Sequence, residues 1–146
     1  MKNVLMVFAS MTGNTEEMAD AVKEGLEFGK ANITIKEVFD ASASDLESYD
    51  GIVLGAYTWG DGELPDEFLD FYEEMDEVDL SGKKAVVFGS ADSSYPQFGA
   101  AVDILIAKLQ ERGCTVVAEG LKVEFSPSAE EKEQCRELGR RLLGLD

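Results

Sequence analysis

The sequence predicts an α/β fold of three layers, a doubly wound parallel sheet of five strands with helices on both faces. Three observations predict it. Short runs that are apolar at every position alternate along the chain with longer amphipathic stretches, as strands covered on both faces alternate with the helices that cover them. The 146 residues include 45% hydrophobic side chains despite a net charge of −17, the apolar content of a folded chain rather than a disordered one. No repeat or linker divides the chain, and its length suits one core, so one domain is expected over residues 1–146.

Taken in order, the first strand is Val4-Leu5-Met6-Val7-Phe8, apolar throughout. The first helix follows, with Met18, Val22 and Leu26 at spacings of four and Gly29 closing it. Ile33-Thr34-Ile35-Lys36-Glu37-Val38 partly alternates with polar residues, which predicts a second strand with one wetter side, at an edge. Ile52-Val53-Leu54 and Ala85-Val86-Val87-Phe88 are the third and fourth strands and share the sheet centre with the first. Phe68, Phe71, Tyr72 and Met75 mark the second helix; Phe98, Val102, Leu105 and Leu109 mark the third, ending at Gly113. The last strand is expected from about Thr115 to Val123, with Gly120 interrupting a mixed apolar segment. Ser128 with Glu131 three residues later is a capping box that opens the fourth helix, on which Cys135, Leu138 and Leu142 share a face.

Composition removes several classes of function. The chain has no histidine, and its two cysteines, Cys114 and Cys135, form no CxxC pair, so zinc sites and Cys/His or Ser/His catalytic pairs are excluded and no metal is expected. Cys135 reads as core, and Cys114 as a strand-entry residue without chemistry. A pI near 4.2 opposes binding to nucleic acid or to anionic membranes, which need clustered Lys and Arg. No apolar run approaches the roughly 20 residues of a spanning helix. The run Val4 to Ala9 is too short and poorly flanked for a signal peptide, so a cytoplasmic location is expected. The acids are uneven: between Lys36 and Lys83 there is no Lys or Arg but fifteen Asp and Glu, ten of them from Asp61 to Asp79. One face must be strongly negative. Such a run is either a solvated surface that keeps the protein soluble or a field with a job.

Ligands of doubly wound sheets sit beyond the carboxyl ends of the strands, near the reversal of strand order, which directs attention to the loops after the first, third and fourth strands. The first reads Ser10-Met11-Thr12-Gly13-Asn14-Thr15 and runs into a helix start. Hydroxyls, an amide, a glycine and exposed N–H groups make an uncharged phosphate site; equally, Thr12 or Asn14 could be an ordinary helix cap. Neither a Gly-Lys-Ser/Thr ending nor a GxGxxG pattern is present, which excludes the common nucleoside triphosphate and dinucleotide loops. The second loop, Tyr57-Thr58-Trp59-Gly60-Asp61-Gly62-Glu63-Leu64-Pro65, holds the only Trp of the chain in a glycine-rich turn. That ring is a stacking platform or a loop anchor. The third, Ser90-Ala91-Asp92-Ser93-Ser94-Tyr95-Pro96-Gln97-Phe98, offers a second aromatic platform, Tyr95.

Together the three segments, SMTGNT, TWGDG and ADSSYPQFG, each after the matching strand, resemble those of the flavodoxins, small electron carriers with non-covalently bound FMN. The resemblance covers essentially the whole chain, and the length and uninterrupted last strand look like the short-chain branch. It implies a flavodoxin-like sheet of order 2-1-3-4-5. By the same resemblance Ser10, Met11, Thr12, Gly13, Asn14 and Thr15 hold the FMN phosphate, and Trp59 and Tyr95 sandwich the ring system, Tyr95 on its outer face. Tyr57, Thr58, Gly60 and Asp61, with Ser90, Ala91 and Asp92, approach the ring edges; Gln97, Phe98 and Gly99 back the last loop. Met11 stands where many relatives have Thr or Ser, Ala91 where Gly is frequent and Gly99 where Cys is frequent.

The implied function is low-potential shuttling of single electrons between a reductase and acceptor enzymes, without substrate turnover. A carrier must separate its flavin's two one-electron steps. In the family, the peptide between the residues matching Gly60 and Asp61 turns over on reduction so that its carbonyl meets flavin N5, and glycine makes the new dihedrals cheap. Half a dozen acids about 12 Å away would together oppose the final negative charge by about 2 kcal/mol before salt screening. The same acids would steer basic surfaces of a flavodoxin reductase and of acceptors into transient encounters, with the carrier a monomer. Two rivals are weaker. A phospho-acceptor receiver needs acids after the first strand and an Asp ending the third, where this chain has Ser10-Met11-Thr12 and Ala56-Tyr57-Thr58. An FMN-dependent quinone reductase needs a substrate pocket for which the chain has little material.

Overall fold

The apolar runs become the central strands: β1 (Asn3–Phe8), β3 (Gly51–Tyr57) and β4 (Lys84–Ala91) are buried along almost their whole length, whereas β2 (Asn32–Glu37) is half-exposed. The computed structural model describes residues 3–9, 13–58, 62–91 and 99–144. All pairings among the described strands are parallel, in the order β2-β1-β3-β4 and then β5 (Thr115–Val116), with Met6 opposite Ile35 on one side and Val53 on the other. This is the order the resemblance implies, and it places the wetter strand at the edge.

Because side chains alternate along a strand, the sheet feeds two cores. Leu5, Val7, Ile52, Leu54, Ala85 and Val87 pack against α2 (Asp66–Glu74) and α3 (Ala100–Glu111). Val4, Met6, Phe8, Val53, Val86 and Phe88 pack against α1 (Asn14–Leu26) and α4 (Ala129–Leu142). The predicted stripes are buried at Met18, Val22 and Leu26, at Phe68, Phe71 and Met75, at Val102, Leu105 and Leu109, and at Cys135, Leu138 and Leu142, while Tyr72 of the second stripe is half-buried at the margin of the core. Each such side chain contributes about 1.5–3 kcal/mol by leaving water. Phe98 lies outside the described residues. The second stripe outlasts its helix, since α2 ends at Glu74 and Met75–Glu77 is a 3₁₀ turn. At the start of α4 the capping box forms in both directions: Glu131 N–H donates to Ser128 Oγ at 3.1 Å, and Ser128 N–H to Glu131 Oε1 at 2.9 Å. Helices α1 and α4 touch backbone to backbone through glycines; a Cβ on Gly139 would lie 2.4 Å from the Val22 carbonyl oxygen. Among the described residues, no helix is long and apolar enough to cross a membrane.

Two features depart from expectation. The crossover from β2 to β3, for which the periodicity predicts no element, contains 3₁₀ turns at Val38–Asp40 and Ala43–Ser48. Val38, Ala43 and Leu46 are its fully buried residues, too few for a helical stripe, and they pack into the α2 side of the core. The last strand is also not continuous from Thr115 to Val123, and the expectation that it is uninterrupted is corrected. It consists of β5 (Thr115–Val116) and β6 (Leu121–Glu124), both paired with β4. Ala85 faces Val116 but Phe88 faces Leu121, so four residues on the edge oppose two on β4, an insertion of 4 − 2 = 2. Such bulges are tolerated at edges, where only one side of the ladder is lost. Gly120 sits in the bulge because the chain there presses on α3: a Cβ would be 2.5 Å from Val102 Cγ1.

Candidate functional site

The strand order reverses between β1 and β3. From β1 the chain passes through α1 to β2 on one side; from β3 it passes through α2, on the other face, to β4 on the other side. The three predicted loops therefore leave the carboxyl ends of adjacent strands, where doubly wound sheets bind their ligands.

Hydrogen bonds tie the bases of these loops together. Thr15 Oγ1 and Ser90 Oγ lie 2.8 Å apart, both buried. The Thr58 N–H donates to the Ser90 carbonyl at 3.0 Å, and the Ala101 N–H at the start of α3 donates to Thr58 Oγ1 at 3.2 Å. Ser90 thus touches the phosphate-loop helix and the Trp-bearing loop while opening the third. These contacts were not readable from sequence spacing; Thr15 and Ser90 are 75 residues apart.

In the first loop, Gly13 is the N-cap of α1 at φ +89°, and Asn14 lies inside the helix. Asn14 is therefore not the cap that the sequence left open. Only glycine takes this backbone geometry without cost, and no atom of the described residues lies within 4 Å of where a Cβ would stand. A helix N-terminus entered through a left-handed glycine fits a phosphate ester held by N–H dipoles. The Thr15 hydroxyl is buried against Ser90 Oγ. Ser10, Met11 and Thr12 lie outside the described residues, as do Trp59, Gly60 and Asp61, and Asp92 with Tyr95, Gln97 and Phe98.

Of the second loop, Tyr57 and Thr58 are described. The Tyr57 phenol donates to Glu67 Oε1 of α2 at 3.1 Å, spanning the two ends of the loop. Burial, and after it the charge of Glu67, pushes the phenol up to about 12. Glu67 is a partner that sequence reasoning missed, since only the docking of α2 brings it there. In the third segment, Ser90 and Ala91 are buried at the end of β4, and Gly99 caps α3 at φ +68°.

The acidic stretch is a surface. Glu63, Asp66, Glu67, Asp70, Glu73, Glu74, Asp76, Glu77 and Asp79 are all exposed. Among these residues only Asp76 has a salt bridge, to the buried Lys108. The last turn of α2 carries no basic residue; acids there oppose the helix dipole, so helix stability does not account for them. Both thiols are buried. Burial pushes Cys114 up to about 11 and Cys135 up to about 12, and the Cys114 Sγ donates to the Lys83 carbonyl at 3.4 Å.

Comparison with known proteins agrees with this architecture. The family model described as flavodoxin matches residues 6–139. The chain is 46% identical over 142 residues to probable flavodoxin 2 of Bacillus subtilis, covering 97% of this chain and 94% of that protein. It is 40% identical to the flavodoxin of Maridesulfovibrio salexigens, covering 90% and 92% respectively. The crystal structure of oxidised flavodoxin 1 from Bacillus cereus superposes with a TM-score of 0.96 at 57% identity, covering 98% of each chain. The sheet order, the reversal between β1 and β3 and these likenesses agree: the chain belongs to the flavodoxin family, electron carriers that bind FMN non-covalently and turn over no substrate of their own.

Proposed function

We propose that this chain carries single electrons at low potential between a basic reductase and basic acceptor enzymes, as a cytoplasmic monomer of one domain. The observation that carries the reading is the junction of Thr15, Thr58 and Ser90, which fastens three ligand loops at one end of the sheet. Bound FMN supplies the one-electron chemistry. The residues Ser10 to Thr15 hold its phosphate through backbone N–H groups and hydroxyls, with Gly13 giving the approach. Trp59 and Tyr95 cover the two faces of the ring and exclude water. Tyr57, Thr58, Gly60, Asp61, Ser90, Ala91 and Asp92 line its edges, with Phe98 and Gly99 supporting the last loop. Gly60 lets its peptide reorient at low cost, and the Tyr57–Glu67 bond holds the loop ends while it does so.

The exposed acids of α2, largely without salt bridges, then do two things: they oppose the final negative charge and attract a basic partner. The primary test is an anaerobic dithionite titration of the FMN-loaded protein followed by its visible spectrum. Two resolved one-electron steps are expected. A single two-electron bleaching would refute the carrier reading and favour a reductase, and failure to take up FMN would refute both. For the steering role, raising salt is expected to slow electron exchange with a basic protein; an unchanged rate refutes it.

A further inference from the structure

Phe125 is the only non-glycine residue with a positive φ among the described residues, at +55°. For a bulky side chain this is a strained conformation. Strain of that kind persists when packing repays it, but Phe125 is 53% exposed. The exposed Phe28, by comparison, lies under the Arg140 guanidinium.

The position of Phe125 is fixed from both sides. Its N–H donates to the Ala91 carbonyl at 3.0 Å, at the base of the third ligand loop. The next hydroxyl, Ser126 Oγ, donates to Glu17 Oε2 in the first turn of α1 at 2.9 Å. The segment follows β6 at the carboxyl end of the sheet, bonded to the end of β4 on one side and to the first turn of α1 on the other. Glu124, the preceding residue, is exposed, and so is Glu17, the acceptor of the Ser126 bond. An exposed aromatic side chain on a backbone anchored at both neighbours, with exposed carboxylates on the adjoining segments, is the arrangement of an interface anchor with a polar rim.

We infer that Phe125 is a docking contact for redox partners: it enters an apolar spot on a basic protein while the neighbouring carboxylates meet its Lys and Arg. Acidic surroundings select against a like-charged partner and against a second copy of this chain, whose net charge is −17. The inference rests on the proposed encounter with basic partners and adds the place of contact. It needs no new chemistry, since the transfer is one electron from the reduced carrier to the partner.

The test uses the FMN-loaded protein, its Phe125→Gly and Phe125→Tyr variants, and cytochrome c, a small basic haem protein, as one-electron acceptor in stopped flow. Each ferric haem takes one electron from the reduced carrier. Phe125→Gly is expected to raise the thermal midpoint by about 2–4 °C, because glycine relieves the strained backbone. The same variant is expected to lower the second-order rate constant with cytochrome c about fivefold or more. Phe125→Tyr retains the rate, and ferricyanide, a small ion that needs no docking, reacts alike with all three proteins. An unchanged rate of Phe125→Gly with cytochrome c overturns the inference. So does an equal slowing with ferricyanide, which would place the residue in the cofactor site. If the parent rate proves independent of salt, the steering reading fails by itself, while the comparison of variants still decides the contact.

Discussion

The buried hydroxyl pair of Thr15 and Ser90 allows a quantitative test of how the ligand loops are held. Both residues are almost wholly buried, and the two oxygens are 2.8 Å apart. In Thr15→Val the shape is kept but Ser90 Oγ loses its partner; in Ser90→Ala the reverse holds. An orphaned buried hydroxyl costs about 1–3 kcal/mol, whereas removing both polar groups together is close to neutral apart from the lost atoms. Each single variant is therefore expected to lose about 2 kcal/mol and the double variant about 1 kcal/mol, which gives a coupling near −3 kcal/mol. The assay is urea unfolding of the four polypeptides without added FMN, followed by far-ultraviolet circular dichroism and extrapolated linearly with the slope checked for constancy. At this chain length each kcal/mol also moves the thermal midpoint by about 2–4 °C. A double variant whose loss equals the sum of the single losses would refute the reasoning, because independent effects mean that the two hydroxyls do not satisfy each other.

Other expectations follow from the same geometry. Gly139→Ala should destabilise by about 1–3 kcal/mol through overpacking, since the new methyl meets the Val22 carbonyl oxygen at 2.4 Å; helix propensity alone predicts a gain, so a raised thermal midpoint would contradict the α1–α4 contact. Gly13→Ala meets no atom of the described residues within 4 Å but must hold φ +89°, so it should cost about 1–2 kcal/mol by strain and weaken FMN binding, measured by fluorescence quenching; unchanged affinity would separate this residue from the phosphate site. Both thiols should resist Ellman's reagent at pH 8 until the chain unfolds, and prompt labelling of the folded protein would contradict their burial. The folded state keeps those thiol protons up to about pH 11 and 12, while the unfolded state releases them near the ordinary thiol value. The folded chain therefore binds more protons in this window, so stability should fall as pH rises above about 9; urea midpoints that stay level to pH 11 would contradict this.

Much of the fold was legible because burial on both faces leaves a local record. Val4 to Phe8 and Ala85 to Phe88 are apolar at every position and became the central strands, and the partial alternation from Ile33 placed its strand at the edge. The capping box at Ser128 was readable for the same reason, since its two hydrogen bonds span three residues. The split last strand was not readable. Gly120 marked an interruption, but the two extra residues of the bulge are defined by register against β4, and register is a relation between segments.

The candidate site divides in the same way. By itself, the sequence determined the three loops, their order after the strands, the family they resemble and the acidic stretch from Asp61 to Asp79, because each is carried by residues adjacent in the chain. Only the tertiary structure decided that Thr15 and Ser90 share a hydrogen bond, that Glu67 receives the Tyr57 phenol, and that Phe125 stands strained and exposed between two ligand-loop bases. The physical reason is range. Periodicity and capping act over one or two turns of chain, whereas the partners of a buried hydroxyl, and the exposure of a strained ring, depend on which distant segments the sheet order brings together.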